Sequence, residues 1–241
     1  MEKFIKTLST IITTILFYGI AAYTYMTYKG FVYNNGTFTI VKQVQARQNE
    51  RPTGFANKID ENVALNFKDD NAIGDENAPL TLYEFSSLGC GHCANFHLNY
   101  LPDIEKEFIS QGKLKVVFVN FPLDEKSVKG AMLAECLKSP QREKYINTVF
   151  MKQREWMLSF RAEDLLKKYA IDETFSAEDA AKCLKDKELS TRIIADRQDA
   201  MDKLNMQGTP AFLFSADGVN EIIYGIPKYE KLKSYIESRL K

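Results

Sequence analysis

The chain has 241 residues, its 32 basic and 32 acidic side chains cancel, and 45% of it is hydrophobic. That balance suits a globular domain with an appendage and excludes a disordered chain, a collagen or a disulfide-dense mini-scaffold. It also lacks the basic excess that marks a nucleic-acid-binding protein.

Lys3 and Lys6 precede an uncharged run at residues 7–28. About 20 helical residues span a bilayer, but threonines at 10, 13, 14, 24 and 27 dilute this run. Its apolar centre, 11–18, has the short length of a signal-peptide centre, and Gly19 and Ala21 offer a small-x-small cleavage site. Against cleavage, Tyr23, Tyr25 and Tyr28 cluster as in an interfacial aromatic belt. Residues 1–28 therefore read as a cleaved signal peptide or an uncleaved membrane anchor, with a buried core helix as the third reading. Either of the first two puts the remainder outside the cytoplasm, where disulfides persist. Residues 29–70 are polar and turn-rich and read as a spacer, with a short helix around 43–49.

The folded body is expected over 71–241. A turn cluster at 74–79 leads into Leu-Thr-Leu-Tyr-Glu-Phe-Ser at 80–86, which reads as a buried strand. Ser87-Leu88-Gly89 turns the chain into a helix over 90–110. Its buried stripe is Cys93, His97, Tyr100 and Leu101, Ile104 and Phe108. Pro102 inside it predicts a kink. Residues 114–121 form a second strand, which a crossover helix makes parallel to the first. Strand signals then vanish, and helices are predicted over 128–137, 142–153, 162–169, 177–184 and 190–206. Trp156 and Phe160, spaced i, i+4, read as core. Gly208-Thr209-Pro210 ends this block. Strands at 211–215 and 221–224 flank the hairpin signal Asp217-Gly218, and a helix over 228–240 closes the chain.

Cys90-Gly91-His92-Cys93 sits where the first strand passes into the first helix. Two thiols at this spacing can close and reopen a small disulfide. Unpaired amides and the positive dipole end favour a thiolate at the helix start, and His92 can add partial positive charge. Cys90 is the expected nucleophile and Cys93, one turn deeper, the expected resolving thiol. Zinc would want four ligands, and Cys136 and Cys183 have no second CxxC or His pair. A c-type haem would want His directly after Cys93, where Ala94 stands. His97 reads as a packed or hydrogen-bonded core histidine. The basic residues between 138 and 161 alternate with acids and read as a solvated face.

These pieces resemble the DsbA family of thioredoxin-fold thiol–disulfide oxidoreductases. The resemblance covers roughly 73–241. It rests on Ile73-Gly74-Asp75, Asn77-Ala78-Pro79, Glu84-Phe85 before the cysteine motif, Asn95-Phe96-His97, Leu101-Pro102, Asn120-Phe121-Pro122-Leu123 and the stretch from Gly208 to Phe212. It implies an α/β thioredoxin-like fold, with a core of 71–123 and 207–241 split by a helical insertion at 124–206. It also implies that Pro210 is the family's cis-proline, that Thr209 before it tunes redox behaviour, and that Glu84 is the buried acid that exchanges a proton with the second thiol. A carboxyl in a buried strand should indeed have a raised pKa. The alternative for Glu84 is a surface position on an edge strand.

The function so implied is an exported oxidoreductase that acts on cysteine pairs of newly exported, incompletely folded proteins. It needs no bound cofactor and is reoxidised by a DsbB-like membrane quinone reductase. Gly91-His92 departs from the Pro-His of the strong oxidants and is similar to the dipeptide of disulfide isomerases, so an isomerase or reductase stands as the alternative. A non-catalytic binding protein or holdase is the second. Some DsbA-like proteins carry a further disulfide in the insertion. With an even cysteine count, this implies a Cys136–Cys183 bond, two free buried thiols being the other outcome.

Overall fold

The computed structural model describes residues 19, 22, 31–34, 37–40, 56–59, 71–171 and 175–240. Apart from Gly19 and Ala22, the 7–28 run lies outside the described residues, as does the helix expected at 43–49. Among the described residues no helix is long and apolar enough to cross a membrane.

The chain divides into two units, Met1–Gly54 and Phe55–Lys241. In the first, β1 (Phe31–Asn34) pairs antiparallel with β2 (Thr37–Ile40), with Asn34 opposite Thr37. Sequence reasoning assigned no strands here.

The second unit contains β3 (Asn57–Lys58), β4 (Ala72–Ile73), β5 (Leu80–Ser86), β6 (Leu114–Asn120), β7 (Ala211–Ala216) and β8 (Val219–Tyr224) in one sheet of order β3-β8-β7-β5-β6-β4. β5 runs parallel to β6 and antiparallel to β7. Glu84 is paired with Phe118 on one side and Phe212 on the other, so it stands on an interior strand and not at an edge. β7 and β8 turn through Asp217 and Gly218, both at positive φ (50° and 77°), as a two-residue hairpin turn requires. β3 joins the sheet through Asn57–Lys58, which falls within the stretch read as spacer.

Between β5 and β6 the helical stretch is continuous: α1 (Gly91–Asn95), a π-helical turn (Phe96–Tyr100), α2 (Leu101–Ile104) and a second π-helical turn (Glu105–Ile109). Pro102 lies at the start of α2, directly after the first π turn. A widened turn is a place where a missing N–H and a bulky ring are tolerated. Leu80, Leu82, Phe96, Ile104, Phe212 and Phe214 pack on this face of the sheet with Leu232 and Ile236 of α9 (Tyr229–Arg239). On the other face Phe85, Val117, Phe121 and Leu213 meet Ala200 and Leu204.

The insertion consists of α3 (Glu125–Cys136), α4 (Gln141–Met151), α5 (Gln153–Met157), α6 (Ala162–Ala170), α7 (Ala177–Cys183) and α8 (Lys187–Leu204). Its core is centred on Trp156, Tyr145, Leu133 and Leu166. Trp156 is buried as expected, but Phe160 is fully exposed. The i, i+4 argument fails there because α5 ends at Met157, three residues short of Phe160. A disulfide joins Cys136 at the end of α3 to Cys183 at the end of α7, with Cα atoms 6.3 Å apart.

Candidate active site

Strand β5 leaves the sheet at Ser86, and the turn that follows is gripped by the insertion. A Cβ on Gly89 would lie 2.5 Å from Ser127 Oγ and 3.1 Å from Asp124 Oδ2, so only glycine fits this approach. Asp124 is itself fixed, because it caps α3 by accepting from the Ser127 N–H at 2.8 Å. From α5, Gln153 Nε2 donates to the Leu88 carbonyl at 2.7 Å.

Cys90 comes next, as the N-cap of α1 with an extended backbone. Its thiol lies over the Thr209–Pro210 loop and donates to the Thr209 carbonyl at 3.4 Å. The Thr209–Pro210 peptide is cis, as the resemblance implied, and Ser139–Pro140 is cis as well. The Cys90 thiol is lowered from 9.0 to about 5. A hydrogen bond from the Cys93 thiol is the main cause. Burial opposes it, while the Thr209 side chain and the Cys93 and His92 backbone amides act in the same sense as Cys93. The Thr209 hydroxyl is buried with no hydrogen-bond partner in this dithiol form, which leaves it free to serve a thiolate. The His92 side chain is exposed, so what it visibly gives Cys90 is its amide.

Cys93 is fully buried on the inner face of α1. Burial and the bond it gives to Cys90 push its thiol far up, and negative charge on Glu84 and Cys90 pushes further. Both cysteines are free thiols. One helical turn therefore carries two thiols with opposite tendencies, one toward the anion and one held neutral.

Glu84 is completely buried, and neither of its carboxyl oxygens has a hydrogen-bond partner. Burial raises it from 4.5 to about 8, with Ser86 opposing and Cys90 adding to the rise. His97 lies one turn beyond Cys93, its ring 4.9 Å from that of Phe150 and 5.9 Å from that of Phe118. It is packed as expected, and burial lowers it to about 4. Its Nδ1, however, has no partner, which periodicity could not have revealed. The structure thus brings Cys90, Cys93, Glu84, Thr209 and Pro210 to one place and leaves Cys136 and Cys183 bonded to each other in the insertion. Among the described residues no three His, Cys, Asp or Glu side chains form a metal-ligand set.

The thioredoxin family model matches residues 66–238. The chain belongs to that family. Within it the chain is DsbA-like. Disulfide bond formation protein D of Bacillus subtilis is 28% identical over 173 residues, covering 70% of this chain and 76% of its own. The crystal structure of Wolbachia pipientis alpha-DsbA1 superposes with a TM-score of 0.66 at 26% identity, covering 75% of this chain and 95% of that one. Oxidised BdbD of Bacillus subtilis shares the fold, with a TM-score of 0.61 at 24% identity and coverage of 71% and 92%. Family and geometry agree on a thioredoxin-fold protein-disulfide oxidoreductase.

Proposed function

We propose that this thioredoxin-family protein is an exported, disulfide-forming oxidase whose Cys90–Cys93 pair accepts electrons from cysteine pairs of newly exported proteins. A substrate thiolate attacks Cys90 Sγ, the Cys90–Cys93 bond breaks, and Cys93 leaves with the electron pair and takes a proton from Glu84. A second substrate thiolate then attacks the substrate sulfur of the mixed disulfide. The substrate disulfide closes and Cys90 departs as a thiolate. The Thr209–Pro210 loop beside Cys90 offers main-chain groups to an extended substrate. A DsbB-like quinone reductase reoxidises the pair, and residues 1–28 deliver or anchor the chain outside the cytoplasm.

The observation that carries this reading is the place of Cys90 at the N-cap of α1, over the Thr209–Pro210 loop, where the Cys93 thiol and the Cys93 and His92 amides lower it to about 5 while Cys93 is pushed up. Stabilising the Cys90 thiolate stabilises the reduced enzyme. That makes the disulfide a stronger electron acceptor. The Gly91-His92 dipeptide favours the second reading, an isomerase or reductase of the same fold. Equilibration of the pair with glutathione separates the two. A potential toward about −120 mV supports the oxidase, and one toward about −270 mV replaces it with a reductant.

A further inference from the structure

A cavity of about 20 Å³ lies against the face of β5 that carries Glu84 and Ser86, and His97, Asn71 and Asn120 complete its polar lining. Roughly 10–15 Å³ of such space admits a water, provided two to four polar groups can bind it. Here both Glu84 oxygens, Ser86 Oγ and His97 Nδ1 are buried and unpartnered around the same space. Asn120 bonds Glu135 at 2.7 Å, and Asn71 accepts from Arg142 at 3.4 Å, so the lining continues into part-buried charged groups. His97 buries Nδ1 while the residue as a whole keeps partial exposure.

We propose that this cavity holds a water bridging Glu84 to His97 Nδ1, and that His97 relays protons between Glu84 and solvent. The inference rests on Glu84 being the proton partner of Cys93. With Glu84 raised to about 8 and Cys93 raised as well, both are protonated near pH 7. Before Cys93 can attack a mixed disulfide at Cys90, Glu84 must release its own proton. The proton passes through the water to His97, whose neutral ring takes it on one nitrogen and gives one up from the other. The Glu84 carboxylate then takes the Cys93 proton. Cys93 Sγ bonds Cys90 Sγ, and the bound thiol leaves as a thiolate. One proton has left, and Glu84 is neutral again. Oxidation of a substrate runs the same path inward.

The test is reoxidation of the reduced full-length chain by glutathione disulfide, with quenched-flow mass spectrometry following the mixed disulfide at Cys90. In His97→Leu, resolution by Cys93 should slow by roughly 3- to 10-fold, the lower range of a lost proton-transfer group. Formation of the mixed disulfide, which needs only Cys90, should keep its wild-type rate. His97→Asn keeps a polar atom near Nδ1 but has no nitrogen that can take up a proton, so it should stay slow, and wild-type resolution in that variant overturns the relay. His97→Phe keeps a ring against Phe118 and Phe150 and replaces His97→Leu if that variant does not fold. In a Glu84→Gln background the His97 change should add nothing. Wild-type resolution in both apolar variants, with Glu84→Gln slow, overturns the relay and leaves the role of Glu84 standing. An equal slowing in the Glu84→Gln background overturns it too, because His97 then acts independently. Wild-type resolution in Glu84→Gln removes the role of Glu84 itself.

Discussion

Gln153 donates its side-chain amide to the Leu88 carbonyl at 2.7 Å, across 65 positions of sequence. The insertion thus touches the turn that presents Cys90, directly through Gln153 and sterically through Ser127 against Gly89. Gln153→Ala should cost about 1 kcal/mol in urea denaturation, the net value of one such hydrogen bond. Faster alkylation of Cys90 should accompany it as the turn loosens. Unchanged stability and labelling would mean that the contact is incidental.

Cys90 should react with iodoacetamide between pH 5 and 6, where Cys93 does not, since about 5 is the pKa of one and the other is raised. The sign for stability follows. A folded-state pKa below the unfolded value stabilises the reduced form fully above the unfolded value of 9.0, and this is lost as pH falls through about 5. Peptide mapping after brief alkylation checks the first statement, and preferential labelling of Cys93 contradicts it.

Cys93→Ser should accumulate mixed disulfides through Cys90, because no resolving thiol remains. Non-reducing gels of cells expressing the folded variant should show thiol-reversible adducts that vanish in Cys90→Ser/Cys93→Ser. A clean gel would contradict exchange through Cys90.

Glu84→Gln should slow thiol–disulfide exchange by roughly 10-fold or more, as for a lost general base. Its stability signature has the opposite sign to that of Cys90. A folded-state pKa raised from 4.5 to about 8 gives a contribution that is full below 4.5 and is lost as pH rises through about 8. The disulfide form is the cleaner sample, since burial remains while the Cys90 charge is gone. Wild type should lose stability over that window and Glu84→Gln should not. Parallel stability curves would mean that Glu84 is not buried as described.

Replacing Cys136 and Cys183 together by alanine should destabilise by about 4 kcal/mol in the chain-entropy account, given a separation of 47 residues. The pKa of Cys90 should hold, because the bond lies between α3 and α7 and not at the CGHC helix. Thermal unfolding and pH-dependent alkylation read the two effects separately.

The parallel pair β5–β6 and the β7–β8 hairpin were legible because apolar runs and turn residues mark them locally. The β1–β2 hairpin carried its signal too. Asn35-Gly36, flanked by Phe31, Val32 and Tyr33 on one side and Phe38, Ile40 and Val41 on the other, is a strong two-residue hairpin cue, masked only by the polar stretch that follows. β3 and β4 were not legible, since two residues carry no period and owe their state to the partner strands. At the site, Cys90, Cys93 and the cis Thr209–Pro210 bond followed from motif and resemblance. The unpartnered state of Glu84 and His97 depends on packing from β6 and α4, which no local pattern encodes.

The Cys90–Thr209 contact joins positions 119 residues apart, with the whole insertion lying between them. Synthesis runs from N- to C-terminus. The two thiols therefore emerge well before the loop that flanks them, and any fragment ending short of residue 209 carries a CGHC sequence without this environment. For that interval the nascent chain carries an ordinary pair of cysteines. Such a pair is open to exchange with any thiol or disulfide it meets before the site is assembled.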